Sequence, residues 1–312
     1  MVCVGEIDPL VRKICKLHDK ISKLDNLSPS KEVDSLFTQL VTTCIPPHPI
    51  DVTKLCTKIQ RIRNNLIRLC GKAESLLEKH YSTILISLEN PITNHLHLFP
   101  YYSNYLKLSQ LEYHLLTRHF NPNSNPTHLA FVGSGPLPLT SIILATHHLK
   151  SAIFHNYDID HSANSVAEKL VVSNLDLSER MVFHTKDIMG TSSDELRQYE
   201  VVFLAALVGM ESDEKVRVIE HLAVNMVDGA FLVVRSAKGA RAFLYPVVGP
   251  ACLRGFEVLS VYHPTDDVIN SVVIARKCRE ISGENINQGL DIDDTLSKMN
   301  MIEELACDHY LC

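Results

Sequence analysis

Phe131-Val132-Gly133-Ser134-Gly135-Pro136 decides the fold. An apolar run, 128–132 (HLAFV), ends there in a glycine turn that hands over to a helix. Glycines let the backbone turn tightly and approach a ligand, and a helix N-terminus favours negative groups. Alone, a GxG marks many ordinary turns. The third glycine of the dinucleotide fingerprint is missing, with Pro138 at that position. That disfavours a pyrophosphate cofactor, whose binding uses a tighter helix approach.

Downstream, further short apolar runs follow at 152–157 (AIFHNY), 181–184 (MVFH), 200–206 (EVVFLAA), 230–234 (AFLVV), 256–261 (FEVLSV) and 271–275 (SVVIA). Helical stretches separate the first five strands, which predicts a parallel sheet covered on both faces. His263-Pro264-Thr265-Asp266-Asp267 is too short for a helical crossover, so the last two runs pair antiparallel. This is an α/β layout, that of a Rossmann-like S-adenosylmethionine-dependent transferase domain with a parallel sheet and an antiparallel last strand.

Upstream, the pattern is helical. Ile7, Leu10, Val11, Ile14, Leu17, Ile21 and Leu24 recur at steps of three and four. Ser30 caps a second helix through Val33, Leu36, Phe37, Leu40 and Val41. Asp51 is read as the cap of a third helix reaching Leu69, with a fourth over roughly 72–88 and a fifth carrying Tyr105, Leu108, Leu111 and Leu115. Turn chemistry at Asn121-Pro122-Asn123-Ser124-Asn125-Pro126 marks a boundary. The predicted division is a helical N-terminal domain over 1–120, the Rossmann-like domain over 121–279, and a polar tail over 280–312 with a helical patch near Met299–Leu305.

Composition narrows the function. With 312 residues, 46% hydrophobic and 21% charged, the chain can bury a sizeable core. Its net charge of −6 argues against nucleic acid as a partner. No apolar run approaches a membrane span, and Glu6, Asp8, Arg12, Lys13 and Lys16 break any leader-like apolar core. A cytoplasmic location follows as an expectation, as do reduced thiols for the 9 cysteines, which form no CxxC pair. His95 and His97 lack a third ligand at a zinc spacing, so no metal site is expected. The sequence leaves a homo-oligomer open.

The turn is supported by other strand ends. Asp158 closes strand two, where a carboxylate accepts ribose hydroxyls; capping the next helix is the plainer reading, and is the one given to Asp160. Asp187 follows strand three, where adenine lies in such folds; a solvated turn aspartate is the alternative. Ala205 and Ala206 leave room for a methionine arm. Gly133, Ser134, Gly135, Pro136, Asp158, Asp187, Ala205 and Ala206 thus form the expected S-adenosylmethionine site, since strand ends gathered at one crevice outweigh any single motif.

The run FVGSGPLPLTSIILA, followed by NYDID, resembles nicotianamine synthase of plants, as do LCGKAESLLEKHYS, FPYYSNYLKLSQLEYHLL, VVFLAALVGM and VVRSAKGARAFLYPVV. The resemblance covers about residues 5–277. It implies a helical domain packed on a Rossmann-like one. It also implies a reaction in which three S-adenosylmethionine molecules give one nicotianamine and three 5′-methylthioadenosine. A small-molecule methyltransferase on the same scaffold, or a protein that only binds the nucleoside, is the competing reading.

That reaction transfers the 3-amino-3-carboxypropyl arm, so an amine must lose a proton and meet Cγ in line. By position in its motif, Glu74 is the implied base, with Glu78 one turn on as the second choice; a solvated helix face is the ordinary role for either. Tyr105 matches the implied active-site tyrosine, a core tyrosine being the alternative. Glu112, seven residues further on, is expected to order the nucleophile, and Arg235 and Arg241 to clamp substrate carboxylates through their forked donors. No step requires a metal or a cofactor beyond S-adenosylmethionine itself.

Overall fold

A computed structural model describes residues 8–121 and 125–279. The polar tail, its patch at Met299–Leu305, Ile7, and the centre of the boundary turn lie outside the described residues. In the helical half, α1 (Pro9–Ile21), α2 (Lys31–Cys44), α3 (Thr57–Ile86) and α4 (Tyr102–Thr117) are the long elements. Asp8 and Ser30 cap the first two, and Val11, Ile14, Leu17 and Ile21 form the buried stripe that the periodicity predicts.

One expectation changes here. The third and fourth helices are a single 30-residue helix, α3, and Asp51 caps only the short turn Val52–Lys54. Gly71 falls between the two expected ranges. Glycine inside a helix costs about 1 kcal/mol relative to alanine. At this position it allows a close approach: a Cβ there would stand 3.4 Å from both Leu207 and Met210.

The other half is a seven-stranded sheet: β1 (His128–Val132), β2 (Ile153–Asp158), β3 (Met181–Thr185), β4 (Val201–Leu204), β5 (Phe231–Ser236), β6 (Phe256–Tyr262) and β7 (Ser271–Lys277), in the order β3-β2-β1-β4-β5-β7-β6. The first five are parallel, and β7 inserts antiparallel between β5 and β6. Strands β1, β4 and β5 are buried along almost their whole length, as continuous apolar runs require when helices cover both faces. Covering helices include α5 (Leu139–Ile143), α6 (His161–Val171), α7 (Leu175–Arg180) and α8 (Ser212–Asn225).

The halves share their cores. Val11, Ile14, Leu40 and Leu66 pack in one cluster with Ala240, Phe243 and Leu244 from the segment after β5. Arg63 of α3 donates to the Ala242 carbonyl at 2.7 Å. Cys44, Cys70 and Cys252 are buried free thiols, but Cys56 is disulfide-bonded, against the expectation of reduced thiols throughout. Among the described residues no helix is long and apolar enough to cross a membrane.

Candidate active site

Strand order reverses at β1, whose neighbours β2 and β4 lead away in opposite directions, and a crevice opens at their carboxyl ends. The glycine turn sits at its floor. Gly133 and Gly135 have φ of +81° and +66°, in the left-handed region that favours glycine. A Cβ on Gly133 would fall 2.3 Å from Val208 Cγ2, and one on Gly135 would fall 2.7 Å from Glu78 Oε2. The N–H groups of Gly133 and Ser134 donate to the Tyr157 carbonyl at 2.8 and 3.1 Å. Gly135 donates to Asp158 Oδ2 and Asp160 donates to Asp158 Oδ1, each at 2.9 Å. The Asp158 carboxylate is therefore held rigidly at the cavity edge. Asp160 caps α6 through the Ser162 N–H, as its sequence context suggests.

Over this turn lies a cavity of about 600 Å³, lined by residues 131–141, Asp158, Asp187, 205–210 and, from the helical half, Gly71, Glu74, Ser75, Glu78 and Tyr105. Asp187 also caps the turn Ile188–Gly190 through the Met189 N–H. Helix α3 crosses above and is pinned on both sides. Ser82 Oγ donates to the Pro136 carbonyl at 2.8 Å, Lys79 reaches Ser162, and Arg68 pairs with Glu211 beyond the other rim. A second cavity, about 220 Å³, lies behind and is lined largely by apolar and aromatic residues including Phe37, Leu77, Phe99 and Tyr101. Glu74, Tyr105, Tyr245 and Asn270 line both.

Tyr105 joins two carboxyl groups here, Glu74 of the shared wall and Glu78, which lines the first cavity. The Tyr105 phenol lies 3.1 Å from Glu78 Oε1 and 3.3 Å from Glu74 Oε1, and Tyr245 donates to Glu74 Oε2 at 3.1 Å. Burial pushes the Glu74 carboxyl above the usual range, against the pull of Tyr245, Tyr105 and Arg235. Glu78 is pushed well above it, first by burial and then by the neighbouring Glu74. Both phenols are likewise raised, chiefly by burial. A carboxyl group in this state can accept a proton from an ammonium.

Glu112 and Arg241 do not stand where the sequence suggests, and Arg235 is held by Glu112. Glu112 is fully buried and lines neither cavity; it takes Arg235 Nε and Nη2 at 2.7 and 3.0 Å, and Thr140 Oγ1 accepts from the same Nη2 at 2.6 Å. Its seven-residue offset from Tyr105 puts it deeper along α4, away from a nucleophile. Arg235 does line the large cavity, with its guanidinium carbon 5.8 Å from the centre of the Tyr105 ring. Arg241 lines neither cavity. Its donors go to the carbonyls of Ile45, Pro264 and Asp266, so it ties the end of α2 to the β6–β7 link instead of facing a substrate.

Three residues escaped the sequence reading. Tyr245 lies within the family-like run VVRSAKGARAFLYPVV but was not singled out there, and Asn270 comes from a link that carries no motif of its own. Lys215 of α8 is 1% exposed and holds the carbonyls of Ala205 and Ala206 at 3.3 and 2.9 Å; burial lowers its ammonium to about 7. A lysine in an amphipathic helix reads as surface, and only the fold shows it turned under the loop.

The antiparallel β7 and the glycine turn without a third glycine separate this fold from that of dinucleotide-binding dehydrogenases and give it the layout of the S-adenosylmethionine-dependent transferases. A family model described as nicotianamine synthase protein matches residues 3–282. Nicotianamine synthase of Solanum lycopersicum is 55% identical, covering 99% of this chain and 100% of its own. Probable nicotianamine synthase 4 of Arabidopsis thaliana is 58% identical, covering 95% and 92%. The chain belongs to the nicotianamine synthase family. The crystal structure of MtNAS in complex with MTA and tNA has the same fold, with a TM-score of 0.70 at 22% identity, covering 89% of this chain and 100% of that one.

Proposed function

We propose that this chain makes nicotianamine from three molecules of S-adenosylmethionine, releasing three of 5′-methylthioadenosine. The observation that carries the reading is the Glu74–Tyr105–Glu78 group, standing between a nucleotide-sized cavity and a second chamber. The donor fits the first cavity. Its floor is a glycine turn open to close approach, the buried Ser134 hydroxyl has no hydrogen-bond partner, and Asp158 and Asp187 border the nucleoside end. Ala205 and Ala206 keep the side next to the turn shallow. The acceptor fits the shared wall.

In each transfer the acceptor's amine gives a proton to the carboxyl pair. Its nitrogen then attacks the donor's Cγ, the Cγ–S bond breaks with its electrons going to sulfur, and methylthioadenosine leaves. Two attacks are between molecules. The third is internal and closes the four-membered ring. Position selects Cγ over the methyl carbon, because the sulfonium activates both. Arg235 holds positive charge behind Tyr105, anchored by Glu112. The proposal includes a cytoplasmic setting and no catalytic metal, since no bond made or broken here needs one.

The test is to incubate the purified protein with S-adenosylmethionine alone, with and without EDTA, and analyse by mass spectrometry. Three methylthioadenosine should form for each nicotianamine, at the same rate with and without EDTA. S-Adenosylhomocysteine would mean methyl transfer, and a strict divalent-metal requirement would remove the metal-free mechanism.

A further inference from the structure

Asn270 stands immediately before β7, 6% exposed, at the wall between the cavities. Its Nδ2 is buried and has no hydrogen-bond partner. A buried donor left unpaired is costly, so its presence in a functional wall asks for a ligand atom. The other groups of that wall are directed at one another: the two phenols at Glu74 and Glu78. The nearby Arg235 is engaged with Glu112 and Thr140. Thus the wall holds proton acceptors for an ammonium and one amide donor. An amino-acid headgroup has the complementary pair, an ammonium next to a carboxylate.

On the transferase reading, we propose that Asn270 binds the α-carboxylate of the acceptor and retains the partly built product between transfers. Retention matters because methylthioadenosine must leave and fresh donor must enter while the intermediate stays. A neutral amide suits this place. A lysine or arginine there would also hold a carboxylate, but its charge would add to that of Arg235, which already favours the ionised form of Glu74 and Glu78, and weaken them further as bases. The amide donates without that effect, and it turns the amine toward the glycine-turn cavity.

The experiment uses the full chain with Asn270→Asp and Asn270→Ala. It measures methylthioadenosine, nicotianamine and the single-transfer intermediate by mass spectrometry, with calorimetric titration of methylthioadenosine as the probe of the first cavity. Loss of a hydrogen bond to a charged group should weaken retention about 10-fold or more. The ratio of methylthioadenosine to nicotianamine should rise above three, with the intermediate free in solution. Methylthioadenosine affinity should stay unchanged, because that molecule lacks the amino-acid arm. A ratio that stays at three in a folded variant overturns the inference. If Asn270→Asp does not fold, the ratio in Asn270→Ala decides. Absence of methylthioadenosine with the wild-type chain would instead withdraw the transferase reading, and with it this one.

Discussion

The two walls of the main cavity are built from different material. The sheet wall presents backbone: the N–H groups of Gly133, Ser134 and Gly135 are fixed on Tyr157 and Asp158, at angles that few other residues adopt. The helical wall presents side chains: Glu74, Glu78 and Tyr105, two of them with strongly shifted proton affinity. The first arrangement suits holding a ligand whose shape stays the same. The second suits moving a proton, because a carboxyl on a packed helix can be tuned by burial and by its neighbour. Binding and chemistry are thereby separable, and substitutions on one wall should leave the other's task largely intact.

The largest effect is expected on the helical wall. Glu74→Gln and Glu78→Gln keep shape but cannot accept a proton, and general-base catalysis contributes about 10²- to 10⁴-fold. Turnover, followed as methylthioadenosine release, should fall by that order for whichever carboxyl receives the proton, and less for its neighbour. Donor binding should survive in both. Raising the pH should partly restore the rate, as more acceptor amine is then free. Normal turnover in both variants would break the comparison and move suspicion to Tyr105. Next in size is Glu112→Ala. Removing one partner from a buried ion pair leaves Arg235 uncompensated, at a typical cost of 3–5 kcal/mol. Chemical denaturation should show that loss; an unchanged midpoint would mean that Arg235 finds another partner.

How far each wall could be read in advance follows the same division. The glycine turn, the place of Asp158 and the strands were legible because each strand is a short apolar run whose end carries its own local signal. The β6–β7 antiparallel pair was legible from the short His263–Asp267 link. The insertion of β7 between β5 and β6 was not, since pairing partners leave no mark within a strand. On the helical wall, Glu74, Glu78 and Tyr105 were reached through resemblance, not through spacing. Glu112 and Arg241 were misplaced because a helical offset gives direction but not depth, and an arginine's partners are distant in sequence: Arg241 binds carbonyls from two other segments. The continuity of α3 was not legible for a similar reason, since what Gly71 meets, Leu207 and Met210, lies across the interface.

On the sheet wall a smaller effect is expected from Asp158→Ala. The change removes the acceptor for the Gly135 and Asp160 N–H groups as well as the proposed ribose contact. A hydrogen bond to a charged group is worth about 1.5–3 kcal/mol. Calorimetric titration with S-adenosylmethionine should show a loss of that order in affinity, with turnover at saturating donor largely kept. Unchanged affinity would leave Asp158 as a brace of the turn alone.

The smallest effect concerns stability against pH, and it sharpens the claim that burial tunes the helical wall. Glu74 and Glu78 have folded-state proton affinities above those of the unfolded chain. The sign follows from linkage: the folded state binds more protons, so their contribution is fully present below the ordinary carboxyl range and is lost as pH rises through the raised folded values. One group can change the slope by at most about 1.4 kcal/mol per pH unit. Denaturation of the ligand-free protein at a series of pH values should therefore show stability falling as pH climbs above the carboxyl range. Glu78→Gln should flatten that fall, more than Glu74→Gln does, because Glu78 is shifted further. The replacement removes a titrating group without removing the side chain's bulk against Gly135. Equal slopes in the wild type and in Glu78→Gln would show that the carboxyl ionises freely in the folded state. The helical wall would then lack the proton affinity that its proposed chemistry needs.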